Sequence, residues 1–206
     1  MIKAIETEYN GYKFRSRLEA RWAVFFDYLG VSYEYEPEGF TLSNGQKYLP
    51  DFRVKCWGTR GEIWSKPFDL YIEVKGVMTA CDAARITEFA NIPDYSLFDS
   101  DEEYEQKRNS INSVLIVGNI PNPRNWGYGA EDLNSYDQMD GISIYPWNYE
   151  TIDGDYFAAY PAVDSYGRFY LDGDDSNYQT MDKRIIFNAF KQARQARFEH
   201  GEKPII

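Results

Sequence analysis

The spacing of the hydrophobic residues changes period once near the start of this chain, and that change limits the folds open to it. Across residues 15–29, Leu18, Trp22, Phe25, Phe26 and Leu29 recur at helical spacing and form one apolar stripe. Ser16 suits the N-cap of that helix and Gly30 its terminator. Directly after Gly30 the period falls to two. Val31, Tyr33 and Tyr35 alternate with Ser32, Glu34 and Glu36, the pattern of a half-buried strand. Asn44-Gly45 then lies between Phe40-Thr-Leu and Tyr48-Leu-Pro-Asp-Phe, a strong hairpin signal. Residues 55–67, with Gly58, Gly61 and Pro67, read as a long loop or protruding ribbon. Leu70, Ile72 and Val74 next alternate with Asp69, Tyr71, Glu73 and Lys75, in a strand ended by Gly76.

Further along, residues 82–90 suit a short helix, and residues 94–105 form an acidic run. Residues 113–117 have the Val-Leu-Ile-Val core of a buried strand. Residues 121–180 are rich in Gly, Asn, Asp, Tyr and Pro, with short strand candidates at 142–145 and 168–171. Residues 182–200 are periodic again, with Ile186, Ala189, Phe190, Ala193 and Arg197 along one side of a second long helix. The order of helix, three strands, helix and strand predicts an α/β sandwich with a mixed central sheet flanked by helices. Residues 1–120 make the core, 121–180 an acidic, loop-rich extension, and 181–206 a C-terminal helix packing on the core.

Aromatic residues make up 17% of the 206, so a core is available without disulfides. Cys56 and Cys81 are too few for a disulfide framework and lack metal-knuckle spacing. No apolar run approaches the roughly 20 residues a membrane helix needs, and Met-Ile-Lys-Ala-Ile-Glu-Thr-Glu is too polar and acidic for a secretory signal. A cytoplasmic protein with no membrane partner is expected. His200 is the single histidine, and nothing near it in sequence supports a Ser-His-Asp or Cys-His enzyme. A GxxxxGK[ST] phosphate loop is absent, which excludes nucleotide hydrolysis of that type.

Net charge is −11, which at first argues against a polyanionic partner. Its distribution removes the objection. Residues 92–181 carry 4 Lys/Arg against 17 Asp/Glu, whereas residues 1–91 carry 12 against 13 and residues 182–206 carry 6 against 3. The acidity belongs to the middle segment, and its flanks are compatible with nucleic acid.

Glu73 and Lys75 are two residues apart on a strand, so both side chains leave the same face while Leu70, Ile72 and Val74 enter the core. If the strand containing Tyr48-Leu-Pro-Asp51 is its neighbour, Asp51 approaches Glu73. Two carboxylates at one point repel unless a cation lies between them, and hard oxygen ligands suit Mg²⁺ or Mn²⁺. Lys75 beside such an ion could orient or help deprotonate a water, or neutralise charge on a pentacovalent phosphodiester.

Pro50-Asp51 followed by Glu73-Val74-Lys75 resembles the PD-(D/E)XK nuclease superfamily. The preceding Phe14-Arg-Ser-Arg-Leu-Glu-Ala-Arg-Trp-Ala-Val-Phe-Phe-Asp-Tyr-Leu-Gly30, with Tyr35-Glu-Pro and Tyr48-Leu-Pro-Asp-Phe, is similar to nucleases of bacteriophage and prophage genomes. It is also similar to the catalytic part of TnsA-like transposase endonucleases and to resolvase-like enzymes. The resemblance covers roughly residues 8–119. It implies a restriction-endonuclease-like core, a phage or prophage origin and Mg²⁺-dependent hydrolysis of DNA. Asp51, Glu73 and the backbone carbonyl of Val74 would hold the metal, Lys75 would assist, and Glu19 on the first helix would join the site.

Each residue also has a plainer reading. Ser16-Arg-Leu-Glu19 is a capping box, Asp51 after Pro50 can start a turn, and Glu-Val-Lys is common on strands. Arg15, Arg17 and Arg21 near the first helix, and Lys183, Arg184, Lys191 and Arg194 on the last, are candidates for phosphate contacts or simply solvated faces. Trp126, Tyr128, Tyr136 and Trp147 are stacking candidates or core residues. Two rivals share the fold: an RNA nuclease with the same site, and a non-catalytic protein whose acidic extension mimics DNA or docks a protein. Cutting both strands of a duplex would favour a homodimer.

Overall fold

The computed structural model of the chain describes residues 5–59, 62–91, 112–120, 142–144, 159–173 and 183–198. Among these residues it is a mixed α/β protein built on a mixed sheet with helices on both faces. Strand β1 (Thr7–Tyr9) pairs with β2 (Tyr12–Phe14) in a small hairpin ahead of helix α1 (Arg17–Leu29). After β3 (Tyr33–Tyr35), strands β4 (Phe40–Thr41) and β5 (Lys47–Tyr48) form the Asn44-Gly45 hairpin, with Gly45 at φ 83°. Two long antiparallel strands follow, β6 (Phe52–Thr59) and β7 (Glu62–Val74), then α2 (Ala80–Ala90) and β8 (Ser113–Val117). Three short strands, β9 (Ile142–Ile144), β10 (Ala159–Val163) and β11 (Phe169–Gly173), precede α3 (Lys183–Gln195). No described helix is long and apolar enough to cross a membrane.

The strand order is β10-β11-β6-β7-β8-β9, with β3 also pairing β6. The β7–β8 and β11–β6 pairs are parallel and the remaining pairs of this sheet antiparallel. Thus β9, β10 and β11, from the segment expected to be loop-rich, extend both sides of the central sheet. The ribbon read across residues 55–67 is the far part of the β6–β7 hairpin.

Side-chain alternation along β6 and β7 divides the core in two. Phe52, Val54, Cys56, Leu70, Ile72 and Val74 join α1 and α3 in the larger cluster. Tyr71 lies on the other face, with Tyr48, Ile86, Phe89 and Val114 in the cluster under α2. Helix α1 starts two residues after Arg15, because Ser16 is the N-cap and its Oγ accepts from the Glu19 N–H. Trp22, Phe25 and Phe26 are fully buried. Phe25 stacks on Phe190 of α3 at 4.7 Å between ring centroids, and Phe26 meets Phe52 of β6 edge-on at 5.6 Å. Burying each such ring stabilises the fold by about 1.5–3 kcal/mol.

The last helix departs from expectation at its end. Ile186, Ala189, Phe190 and Ala193 are buried, but the helix stops at Gln195 and Arg197 is exposed. Beyond that point helical spacing no longer sets the inward face. Ala196 is buried and Phe198 packs on Tyr9 instead. His200 and the acidic run at 94–105 lie outside the described residues.

Candidate functional site

At one end of the sheet, the loop before β6 meets the end of β7. The pairing Phe52↔Ile72, Arg53↔Tyr71 continues one step beyond β6 to set Asp51 opposite Glu73. A hydrogen bond from the Val74 N–H to Asp51 Oδ2, 2.7 Å long, fixes that approach. Glu73 and Asp51 share the face opposite Phe52 and Ile72, and they are 4% and 3% exposed, almost removed from water. Lys75 follows directly after β7, with its N–H bonded to the Val117 carbonyl of β8 at 2.8 Å. The sequence expectation that Asp51, Glu73 and Lys75 converge therefore matches the geometry. The peptide of Val74 enters the cluster through its N–H.

Both carboxylates have protein partners. Lys75 Nζ lies 2.6 Å from Glu73 Oε1, and the Tyr48 hydroxyl donates to Glu73 Oε2 at 2.8 Å. Arg15 Nη2 lies 2.6 Å from Asp51 Oδ1, while its Nε reaches Glu36 Oε1 at 2.7 Å. Glu36 has φ 47°, a left-handed conformation unusual for a non-glycine residue, and its N–H donates to the Asp51 carbonyl.

Burial disfavours the charged form of Asp51, and the nearby Glu73 and then Glu19 add repulsion; together they push its carboxyl up to about 7. Burial also works against the Lys75 ammonium, but Glu73 and Asp51 beside it prevail and hold its pKa above the ordinary value. Burial, reinforced by Glu73, likewise raises the Tyr48 phenol. Near neutral pH, Lys75 is a cation and Tyr48 a hydrogen-bond donor.

Glu19 serves the start of α1. Its Oε1 accepts from Ser16 Oγ at 2.7 Å, and its Oε2 accepts from the Tyr35 hydroxyl at 2.6 Å and the Arg15 N–H at 3.0 Å. This is one step longer than the expected capping box, since the carboxylate reaches the N–H of Arg15 and not that of Ser16. The same network anchors the backbone of Arg15, whose side chain touches Asp51. Glu19 is thus joined to the carboxylate pair through Arg15.

Among the described residues, no three His, Cys, Asp or Glu side chains are grouped to hold a metal ion. The available donors are Asp51 and Glu73, and a two-carboxylate set suits Mg²⁺, which ordinarily keeps several waters. Four contributors to the site were not identified from sequence: Arg15 as the partner of Asp51, Tyr48 on Glu73, Tyr35 on Glu19, and Glu36 on Arg15. Tyr48 and Tyr35 both stand in quoted motifs, Tyr48-Leu-Pro-Asp and Tyr35-Glu-Pro, and that proximity was the available signal.

The remaining basic candidates are more dispersed. Arg17 and Arg21 are half-buried on α1, and the Arg21 Nε is enclosed without a hydrogen-bond partner among the described residues. Arg184, Lys191 and Arg194 are exposed on α3, which packs with α1 on the sheet face opposite Glu73. The side chain of Lys183 and residues Trp126, Tyr128, Tyr136 and Trp147 lie outside the described part. Fold and site together define a mixed α/β protein with a buried carboxylate pair flanked by Arg15 and Lys75. Comparison with protein-family models, curated proteins and solved structures gives no match.

Proposed function

We propose that this chain is a divalent-metal-dependent nuclease with a PD-(D/E)XK-type core that hydrolyses DNA phosphodiester bonds. The observation that carries this reading is the buried pair Asp51 and Glu73, set side by side on neighbouring elements with Lys75 on Glu73. Asp51 and Glu73 would hold Mg²⁺ or Mn²⁺, with the Val74 carbonyl as the backbone ligand that the motif implies. When bound, such an ion supplies Lewis acidity and a water of lowered pKa.

The chain's own residues supply the rest. Lys75, 2.6 Å from Glu73, is suited to stabilising negative charge on the phosphoryl oxygens or to orienting the attacking water. Tyr48 fixes the orientation of Glu73, and Glu19 positions Arg15 and Tyr35.

A second, non-catalytic reading draws on a specific observation: Arg15 and Lys75 already neutralise the two carboxylates. On that reading the cluster is structural, and the acidic middle segment meets a protein partner. The deciding experiment incubates the protein with supercoiled plasmid, single-stranded DNA, a branched junction and RNA in Mg²⁺ or Mn²⁺, beside Asp51→Ala and Lys75→Ala. The nuclease reading expects cleavage that EDTA and both substitutions abolish, and the substrate cut identifies DNA or RNA. A folded wild type that cuts none of them and binds no divalent ion supports the non-catalytic reading.

A further inference from the structure

Arg15 has a geometry that neither a phosphate contact nor a simple surface ion pair requires. Its backbone is fixed: the N–H donates to both Glu19 Oε2 and the Tyr35 hydroxyl, each at 3.0 Å. Its side chain is 54% exposed, yet the guanidinium ends on Asp51, whose side chain is 4% exposed. A residue anchored at its backbone, with a side chain about half exposed, can leave one partner without disturbing the fold. A second partner is in place, because the Arg15 Nε already pairs with Glu36, which is itself 31% exposed.

The charges give this arrangement a consequence. With both carboxylates ionised, Asp51 and Glu73 carry two negative charges, and Arg15 and Lys75 balance them. A divalent ion reaching Asp51 meets a guanidinium 2.6 Å from one of its oxygens. Two cations sharing one buried carboxylate oppose one another, because Asp51 is almost removed from water even though the Arg15 side chain is not.

We infer that Arg15 is a built-in counter-cation that competes with a divalent metal for Asp51 and withdraws to Glu36 when the metal binds. Arg15 then keeps the carboxylate pair from repelling in the metal-free protein and sets the metal concentration at which the site loads. The inference rests on the metal-dependent reading proposed above, and it assigns Arg15 a regulatory part in that site.

The test measures Mn²⁺ binding directly, from the electron paramagnetic resonance signal of the free ion at about pH 8, without substrate. It compares the full-length wild type with Arg15→Ala, Arg15→Gln, Arg15→Lys and Asp51→Asn, each checked for folding by circular dichroism. Removing the charge should tighten Mn²⁺ binding roughly tenfold or more, equivalent to at least about 1.4 kcal/mol. Arg15→Gln carries the same test should the alanine variant fail to fold. Arg15→Lys, which keeps the charge, should stay close to wild type, and Asp51→Asn should bind far more weakly. If the wild type binds Mn²⁺ but neutral variants bind no tighter, the competition is overturned while the metal reading stands. If neither the wild type nor the neutral variants bind Mn²⁺, the metal reading itself fails, and this inference with it.

Discussion

The Val74 N–H donates to Asp51 Oδ2 at 2.7 Å, tying the carboxylate that precedes β6 to the backbone between Glu73 and Lys75. Because that bond crosses between adjacent strands, Asp51 cannot swing away from Glu73 without breaking it. Two acidic groups are thereby kept together in a buried place, and the chain bears an electrostatic cost at the proposed reaction centre. Strain of this kind is common at functional sites, where stability is exchanged for a poised group.

That cost has a pH signature. Burial and then the neighbouring Glu73 push the Asp51 carboxyl up to about 7 in the folded protein, from an ordinary 3.8. Below about pH 4 it is protonated in both folded and unfolded states and costs nothing. As pH rises from there to about 7 the unfolded chain binds fewer protons than the folded one, so stability falls, and above about 7 the loss is complete. Asp51→Asn cannot ionise, so its melting temperature relative to wild type should rise by on the order of 10 °C between about pH 4 and pH 8. Thermal melts at both pH values check this. A difference that does not change with pH would mean that Asp51 titrates near its ordinary value.

Tyr48 lends itself to a clean substitution. Its ring packs 4.6 Å from that of Phe89, while its hydroxyl serves buried Glu73. Tyr48→Phe keeps the ring and leaves Glu73 Oε2 without that donor, which should cost about 1–3 kcal/mol in chemical denaturation. A loss below a few tenths of a kcal/mol would contradict the hydrogen bond's role.

The Glu19 network should behave as one unit. Glu19→Ala removes the acceptor that serves Ser16, Tyr35 and Arg15 together, and should cost about 1–2 kcal/mol, at the upper end for a lost cap. Tyr35→Phe removes a donor to the same oxygen. A double-mutant cycle should therefore show coupling of at least about 0.5 kcal/mol. Strict additivity would place the two residues in separate networks.

Helix α1 is fastened to the end of β8 by Trp22, fully buried, whose Nε1 donates to the Gly118 carbonyl at 2.9 Å. Trp22→Phe loses that bond and leaves a void, so denaturation should reveal a loss of about 2–4 kcal/mol.

Elements with a clear period were the readable part of this fold. The stripe of α1 and the alternation ending in Glu73 and Lys75 are local patterns, and each placed its residues on the correct face. The N-cap of α2 was missed, although Thr79 and Asp82 form a capping box there. Strand β10 is hard to read from sequence for a physical reason. Its Ala-Tyr-Pro-Ala-Val sequence contains Pro161, which argues against a central strand, but β10 lies at the edge of the sheet, where the missing N–H is tolerated. Of the site, the two carboxylates and Lys75 could be found because two of them share a strand and the third stands in a short motif. The Arg15–Asp51 pair joins residues 36 apart, and no local pattern signals it until α1 and β6 are set beside each other.

Lys75→Ala tests most directly whether this chain is a nuclease. The measurement is the initial rate of phosphodiester cleavage in Mg²⁺ on whichever nucleic acid the wild type cuts, with the variant's melting temperature recorded alongside. A loss of about 10²–10⁴-fold is expected, as when a group acting on the reacting atoms is removed, with the variant still folded. A folded Lys75→Ala protein that cuts at the wild-type rate, or a wild type whose cleavage persists in EDTA, would contradict the nuclease reading.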